Sequence, residues 1–126
     1  MWLYDAQMSE LGFRRKGERY WRCDRRHGLS GHDHVSVFCW SEQRAPDGRR
    51  LVELTEFHVT FYRGGERLHF YYHEHEHNHW RHEGNTSYNE IRRLGLEPGA
   101  LRAEAHAVAQ ALAAALGGVW QEEDST

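Results

Sequence analysis

Apolar and polar positions alternate most regularly over residues 51–77, in two runs, "LVELTEFHVTFY" and "ERLHFYYHEHEH", that flank Gly64-Gly65. Alternation of this length predicts half-buried β-strands, because successive side chains of a strand point to opposite faces. A Gly-Gly pair between two such runs supplies the unusual backbone angles of a tight hairpin. With both glycines in the turn, Phe61 lies opposite Leu68, Val59 opposite Phe70 and Phe57 opposite Tyr72, which makes this the core side. The other side then receives Glu56, His58, Thr60, His69, Tyr71, His73, His75 and, if the strand runs on, His77, with Glu56 directly facing His73. A register slip of one residue would carry Glu56 and His58 to the wrong side.

The flanking segments are read by the same rules. Leu3, Met8 and Leu11 at near-helical spacing, closed by Gly12, predict a short N-terminal helix. "FRRKGERYWRC" and "HVSVFCWSE" predict two more strands joined by the loop "DRRHGLSGHD", and "APDG" (45–48) is a turn. Residues 81–96 are expected to form a loop with one short helix around Tyr88 to Leu94. A C-terminal helix starts at Pro98, carries the stripe Leu101, Ala105, Val108, Leu112 and Leu116, and stops at Gly117-Gly118. The expected fold is α+β: a four-stranded, mainly antiparallel sheet in the order α-β-β-β-β-α, both terminal helices on one face and the histidine band on the other. A single domain spans 1–126, with 119–126 a frayed tail.

Charge narrows the partners. Sixteen basic and nineteen acidic side chains give a net charge of −3, which argues against general affinity for phosphate backbones. Arg14-Arg15-Lys16 is then a solvated connector rather than a binding site. Eleven histidines change the picture in mildly acidic solution, where imidazoles gain charge. Cys23 and Cys39 are too few for a disulfide framework, and no signal peptide or long apolar run is present, so a soluble cytoplasmic protein is expected, without membrane contact and with reduced thiols.

The run "LGFRRKGERYWR" (11–22), followed by the strand "VSVFCWS", resembles the opening of a group of small uncharacterised bacterial domains: a helix ending in Leu-Gly-Phe, a basic cluster, a Gly and an aromatic-Arg strand. The resemblance covers residues 11–41 and beyond them only the order of elements. It implies an α-β-β-β-β-α domain in a bacterial cytoplasm, with no activity and no catalytic residue to transfer.

Six of the eleven histidines fall within residues 68–82. Alternate residues of a strand stand roughly 6–7 Å apart, so His73 and His75 form a workable half-site for a metal ion. Glu56 and His58 from the neighbouring strand would complete a four-ligand shell suited to zinc, nickel or iron. The competing explanation is a solvated strand face that simply tolerates polar side chains. "HEHEH" and "HEHNH" satisfy H-E-x-x-H, but that protease chemistry needs two histidines one helical turn apart, which a strand denies.

These patterns lead to a small bacterial binding protein that uses an open His/Glu/Tyr sheet face to engage a protein partner, a divalent metal, or a partner through metal. His69, Tyr71, His77 and His79 are the partner-contact candidates. A role as an immunity or defence-associated component is an analogy from size and setting. The alternative is a small hydrolase acting on nucleic acid, metal-dependent or not, with Glu56 or His58 as general base and His73 as general acid. A single lysine leaves little basic footprint for a phosphate chain, an objection that fifteen arginines soften.

Overall fold

A computed structural model describes residues 1–24 and 28–122. Among the described residues eleven elements follow one another: β1 (Trp2–Tyr4), α1 (Asp5–Glu10), β2 (Arg14–Arg15), β3 (Tyr20–Asp24), β4 (His34–Arg44), β5 (Arg50–Arg63), β6 (Glu66–His75), β7 (His79–Asn85), α2 (Tyr88–Arg93), α3 (Pro98–Ala115) and β8 (Val119–Gln121). The fold is α+β, with one open eight-stranded sheet in the order β2-β3-β4-β5-β6-β7-β8 and β1 paired to β5. All pairings are antiparallel except β7 with β8. The expected four strands are therefore eight. Three of the four strands read from the sequence are there as single strands, the first (13–23) folds back on itself as β2 and β3, and β1, β7 and β8 arise where a helix, a loop and a frayed tail were expected.

The central hairpin forms with the expected partners. Arg63 pairs with Glu66, and Phe61, Val59 and Phe57 pair with Leu68, Phe70 and Tyr72. Gly64 and Gly65 both have positive φ, 58° and 78°, as a two-residue turn of this hand requires. Strand β6 ends at His75, earlier than expected. Glu76, His77 and Asn78 form the next hairpin loop, and residues 79–85, of which 81–85 were expected in a loop, make β7 instead. This turn contains no glycine. Glu76 and Asn78 supply the left-handed angles, with φ of 52° and 63°, and the unbroken His alternation hides the reversal.

Both ends of the chain also depart from expectation. A three-residue strand precedes α1, and α1 is only six residues long. Met8 and Phe13 close α1 through paired bonds, Phe13 N–H to Met8 O and Gly12 N–H to Ser9 O, both 3.0 Å. The same device ends α3: Gly118 N–H reaches Ala113 O at 2.7 Å and Gly117 N–H reaches Ala114 O at 3.0 Å. The chain then turns to β8, so 119–121 are ordered against β7 rather than frayed. Residues 123–126 of the expected tail, and residues 25–27 of the expected loop, lie outside the described part. Helix α2 lies where a short helix was expected.

One apolar core holds the fold together. It joins the inner face of the sheet (Val35, Val37, Cys39, Leu54, Phe57, Val59, Phe61, Leu68, Phe70, Tyr72 and Trp80) to Met8 of α1, Ile91 of α2, and Leu101, Ala105, Val108 and Leu112 of α3. Cys23 and Cys39 are buried free thiols, and burial raises the Cys39 thiol to about 11. Among the described residues no helix is long and apolar enough to cross a membrane.

On this helix-covered side the core contains a polar knot. The Arg102 guanidinium donates from Nε to His106 Nε2 at 3.3 Å and from Nη1 to the Tyr88 hydroxyl at 3.1 Å. With Nε2 accepting, the neutral His106 ring must carry its proton on Nδ1, which donates to the Tyr72 hydroxyl 2.9 Å away. The rings of His82 and Trp120 lie 5.2 and 5.1 Å from His106. Burial, then the nearby His82 and the Arg102 charge, pull His106 down to about 4, and burial chiefly pulls His82 down as well.

Candidate ligand cleft on the uncovered sheet face

Side chains of β3–β7 that alternate away from the core build the second face. Cross-strand pairing sets its rows: Arg22, Ser36, His58 and Tyr71 in one, Tyr20, Phe38, Glu56, His73 and Arg81 in the next, and Asp24, His34, Thr60 and His69 on the other flank. The histidines from three strands therefore do share one face. Among the described histidines of the dense run, His77 lies in the loop beyond β6, and the one on the opposite face is His82. An irregularity in the β6–β7 register pairs it with Tyr72, and it is buried with its ring 5.5 Å from that of Tyr72.

At the centre of this face lies a cleft of about 390 Å³. Tyr20 from β3 and Phe38 from β4 form an aromatic wall, their rings 5.3 Å apart. Ser36 and Thr60 contribute hydroxyls, His34, His58 and His69 contribute imidazoles, and Arg67 contributes a guanidinium. All the described lining residues sit on strands β3–β6. Even so, His34, Ser36 and Thr60 are only 6%, 5% and 4% exposed. Polar side chains buried this deeply on the face away from the helices are costly unless bonded or liganded. Ser36 finds a partner in the Tyr20 hydroxyl at 3.2 Å.

Burial also sets the protonation of the floor. His34 is held below the usual imidazole range first by burial and then by the Arg22 charge; His69 is lowered by burial, then by His58 and Arg67. Both rings are neutral at pH 7, each offering one N–H and one acceptor nitrogen. His58 differs, because its Nε2 donates to Glu56 Oε1 at 2.7 Å, two residues away on the same side of β5. The Tyr71 hydroxyl donates to the other carboxylate oxygen at 3.4 Å, and burial followed by the Glu56 charge raises that phenol. A carboxylate that accepts from one imidazole nitrogen orients the ring and holds a proton on Nε2.

The proposed metal ligands divide into separate pairs. Glu56 and His58 bind each other, His73 Nδ1 bonds to Glu74 O at 2.9 Å, and the His75 ring bonds to Glu83. His73 and His75 keep their rings 5.8 Å apart, but His58 lies across from Tyr71 rather than His73. That aromatic ring, 5.0 Å from His58 and 6.3 Å from His73, fills the step between them. Among the described residues no group of three or more His, Cys, Asp or Glu is arranged to hold a metal ion. Of the glutamates between the histidines, Glu74 does leave this face and pairs at the sheet's rim with the Met1 ammonium at 2.8 Å, while Glu76 sits in the hairpin loop.

Of the partner-contact candidates, His69 lines the cleft and Tyr71 flanks it, whereas His77 occupies the exposed hairpin loop and His79 pairs with His75 at its base. Sequence reasoning counted Tyr20 and Phe38 among aromatics free to contact a partner or stack on bases, without placing them in this cleft, and missed Arg67, His34 and Ser36, the last two on β4. The signal for the β4 residues was the alternation of "HVSVFCW", which places His34, Ser36, Phe38 and Trp40 on one side once the strand is paired. Trp40 is 49% exposed and stacks beside Phe38 at 6.4 Å, and Tyr62, 41% exposed, lies beside His34 at 5.7 Å. Comparison with protein-family models, curated proteins and solved structures finds no match for this chain.

Proposed function

We propose that this protein is a binding module that takes its ligand on the uncovered sheet face, in the cleft around His34, His58 and His69. The observation that carries the reading is the burial of His34, Ser36 and Thr60 on a face to which no helix contributes lining residues. Water reaches such a floor poorly, so a ligand with matching donors and acceptors gains more from it than from an open surface. Exposed Trp40 and Tyr62 at the margins extend the contact area in the way recognition surfaces do. The test is enrichment of compounds from a fractionated metabolite extract over the immobilised full chain. A ligand retained by the natural protein and lost in both His69→Trp, which fills the cleft, and Arg67→Glu, which reverses the charge at its rim, supports the module. Identical retention by all three folded proteins refutes it.

A second reading, hydrolysis of a phosphate ester, has one observation in its favour. The Glu56–His58 pair is an oriented acid–base group, and the His69 ring stands 5.6 Å from that of His58. Turnover that disappears in His58→Ala and in His69→Ala would favour it over binding alone. No turnover across phosphomonoesters and diesters would set it aside.

A further inference from the structure

The chemistry of the lining restricts what can bind. Arg67 is the one permanently charged side chain among the described lining residues, and no carboxylate joins it there. Arg67 is exposed at the rim and makes no ion pair among the described residues. A guanidinium at the rim without an ion-pair partner has a donor fork to offer, and that fork matches the oxygens of a phosphate group. Inside, the Tyr20 and Phe38 rings offer π-faces, tilted by 32° to each other, on which a flat ring can lie. Beyond that wall, the neutral His34 and His69 rings and the Thr60 hydroxyl offer donors and acceptors side by side, the pattern read by the edge of a nitrogen heterocycle. At about 390 Å³ the cleft lies within the roughly 300–1,000 Å³ range of small-molecule sites.

We infer that the ligand of this cleft is a nucleotide, its base stacked on Phe38 and Tyr20 with its edge toward His34 and His69, and its phosphate held by Arg67. The inference rests on the binding-module reading and names the class of ligand. A net charge of −3 disfavours long polyanions, since the protein as a whole repels them. A free mononucleotide or one nucleotide of a short unpaired strand presents the same chemistry to the cleft.

Titration of the full chain with the four ribonucleoside 5′-monophosphates, their nucleosides, inorganic phosphate and a short single-stranded oligoribonucleotide tests this, read by imidazole and amide NMR signals. At least one mononucleotide or the oligonucleotide should saturate the His34 and His69 signals. The matching nucleoside should bind roughly tenfold more weakly, and Arg67→Gln should erase that difference. Phe38→Ala should weaken nucleotide and nucleoside alike by roughly tenfold. Saturation by the mononucleotide identifies a free nucleotide as the source, and saturation by the oligonucleotide alone identifies a strand. Saturation by neither, or equal affinity for nucleoside and nucleotide, overturns the assignment. If the metabolite screen then yields a non-nucleotide compound lost in His69→Trp, the cleft survives as a site and only its ligand class falls; if it yields none, both fall.

Discussion

Acid should unfold this protein through the imidazoles packed under α3, and His106 gives the size of the effect. In the unfolded chain its ring takes up a proton near 6.5, whereas in the folded protein burial, His82 and Arg102 hold it down to about 4. Above pH 6.5 neither state is protonated at this ring and the full stability remains. As pH falls from 6.5 toward 4 the unfolded state gains the proton first, and stability drops by about 1.4 kcal/mol per pH unit, at most about 3 kcal/mol over the window. Below 4 this contribution levels off. Among the described residues the groups facing the ring are Tyr72 from β6, His82 from β7, Arg102 from its own helix and Trp120 from β8. None of these is a carboxylate that could compensate a charged imidazole. Urea unfolding followed by tryptophan fluorescence at several pH values between about 7 and 4.5 reads the loss directly as a shift of midpoint at constant m. His106→Gln retains an acceptor for Arg102 but does not titrate. It should be less stable at pH 7 and should lose about 2 kcal/mol less than the natural protein on acidification. Parallel pH profiles for the two proteins would refute the argument.

Three further outcomes follow from particular contacts. A Cβ on Gly118 would lie 2.7 Å from Asn78 O and 2.8 Å from the Trp80 indole nitrogen, so Gly118→Ala should cost about 1–3 kcal/mol and detach β8, visible as lost amide protection at Val119. Asp33 is 2% exposed and accepts from Arg63 Nη1 at 2.7 Å and from the Tyr62 backbone N–H at 2.9 Å; Asp33→Asn should lower the midpoint of unfolding by about 2 kcal/mol equivalent, and adding Arg63→Ala to the Asp33→Asn variant should then cost little more. Gly65 has φ of 78° with open space around its Cβ position, so Gly65→Ala should cost about 1–2 kcal/mol through backbone strain alone, whereas Gly65→Asn should recover most of it.

The central hairpin was legible because two independent signals agreed there: a period of two on both strands and a glycine pair whose backbone angles only one turn family needs. Its register then followed without adjustment, down to Glu56 facing His73. The second hairpin was not legible, since Glu76 and Asn78 carry its left-handed angles and Asn78 alone hinted at a turn. Strand β8 is three residues long and gains its order from the α3 terminus and the edge of β7, a long-range pairing that no local pattern reports. The cleft was half legible for the same reason. His58 and His69 share the readable hairpin, but Tyr20, His34, Ser36 and Phe38 join them only through the pairing of β3 and β4 across a loop of irregular sequence. The same pairing geometry sets where the proposed metal ligands lie. Sequence spacing put His73 and His75 on the right side, yet their polar partners are Glu74 and Glu83 rather than the β5 pair.

The sheet finishes in very short strands at its two flanks, two residues at β2 and three at β8. A long bare margin would invite neighbouring molecules to add their own backbone, and ribbons of stacked chains would follow. Arg14 and Arg15 further guard the first margin with charge, and the last is bounded by the glycine turn that leaves α3. The outermost strands thus give a second copy only short margins to pair with, beside a surface rich in tryptophan, tyrosine and imidazole.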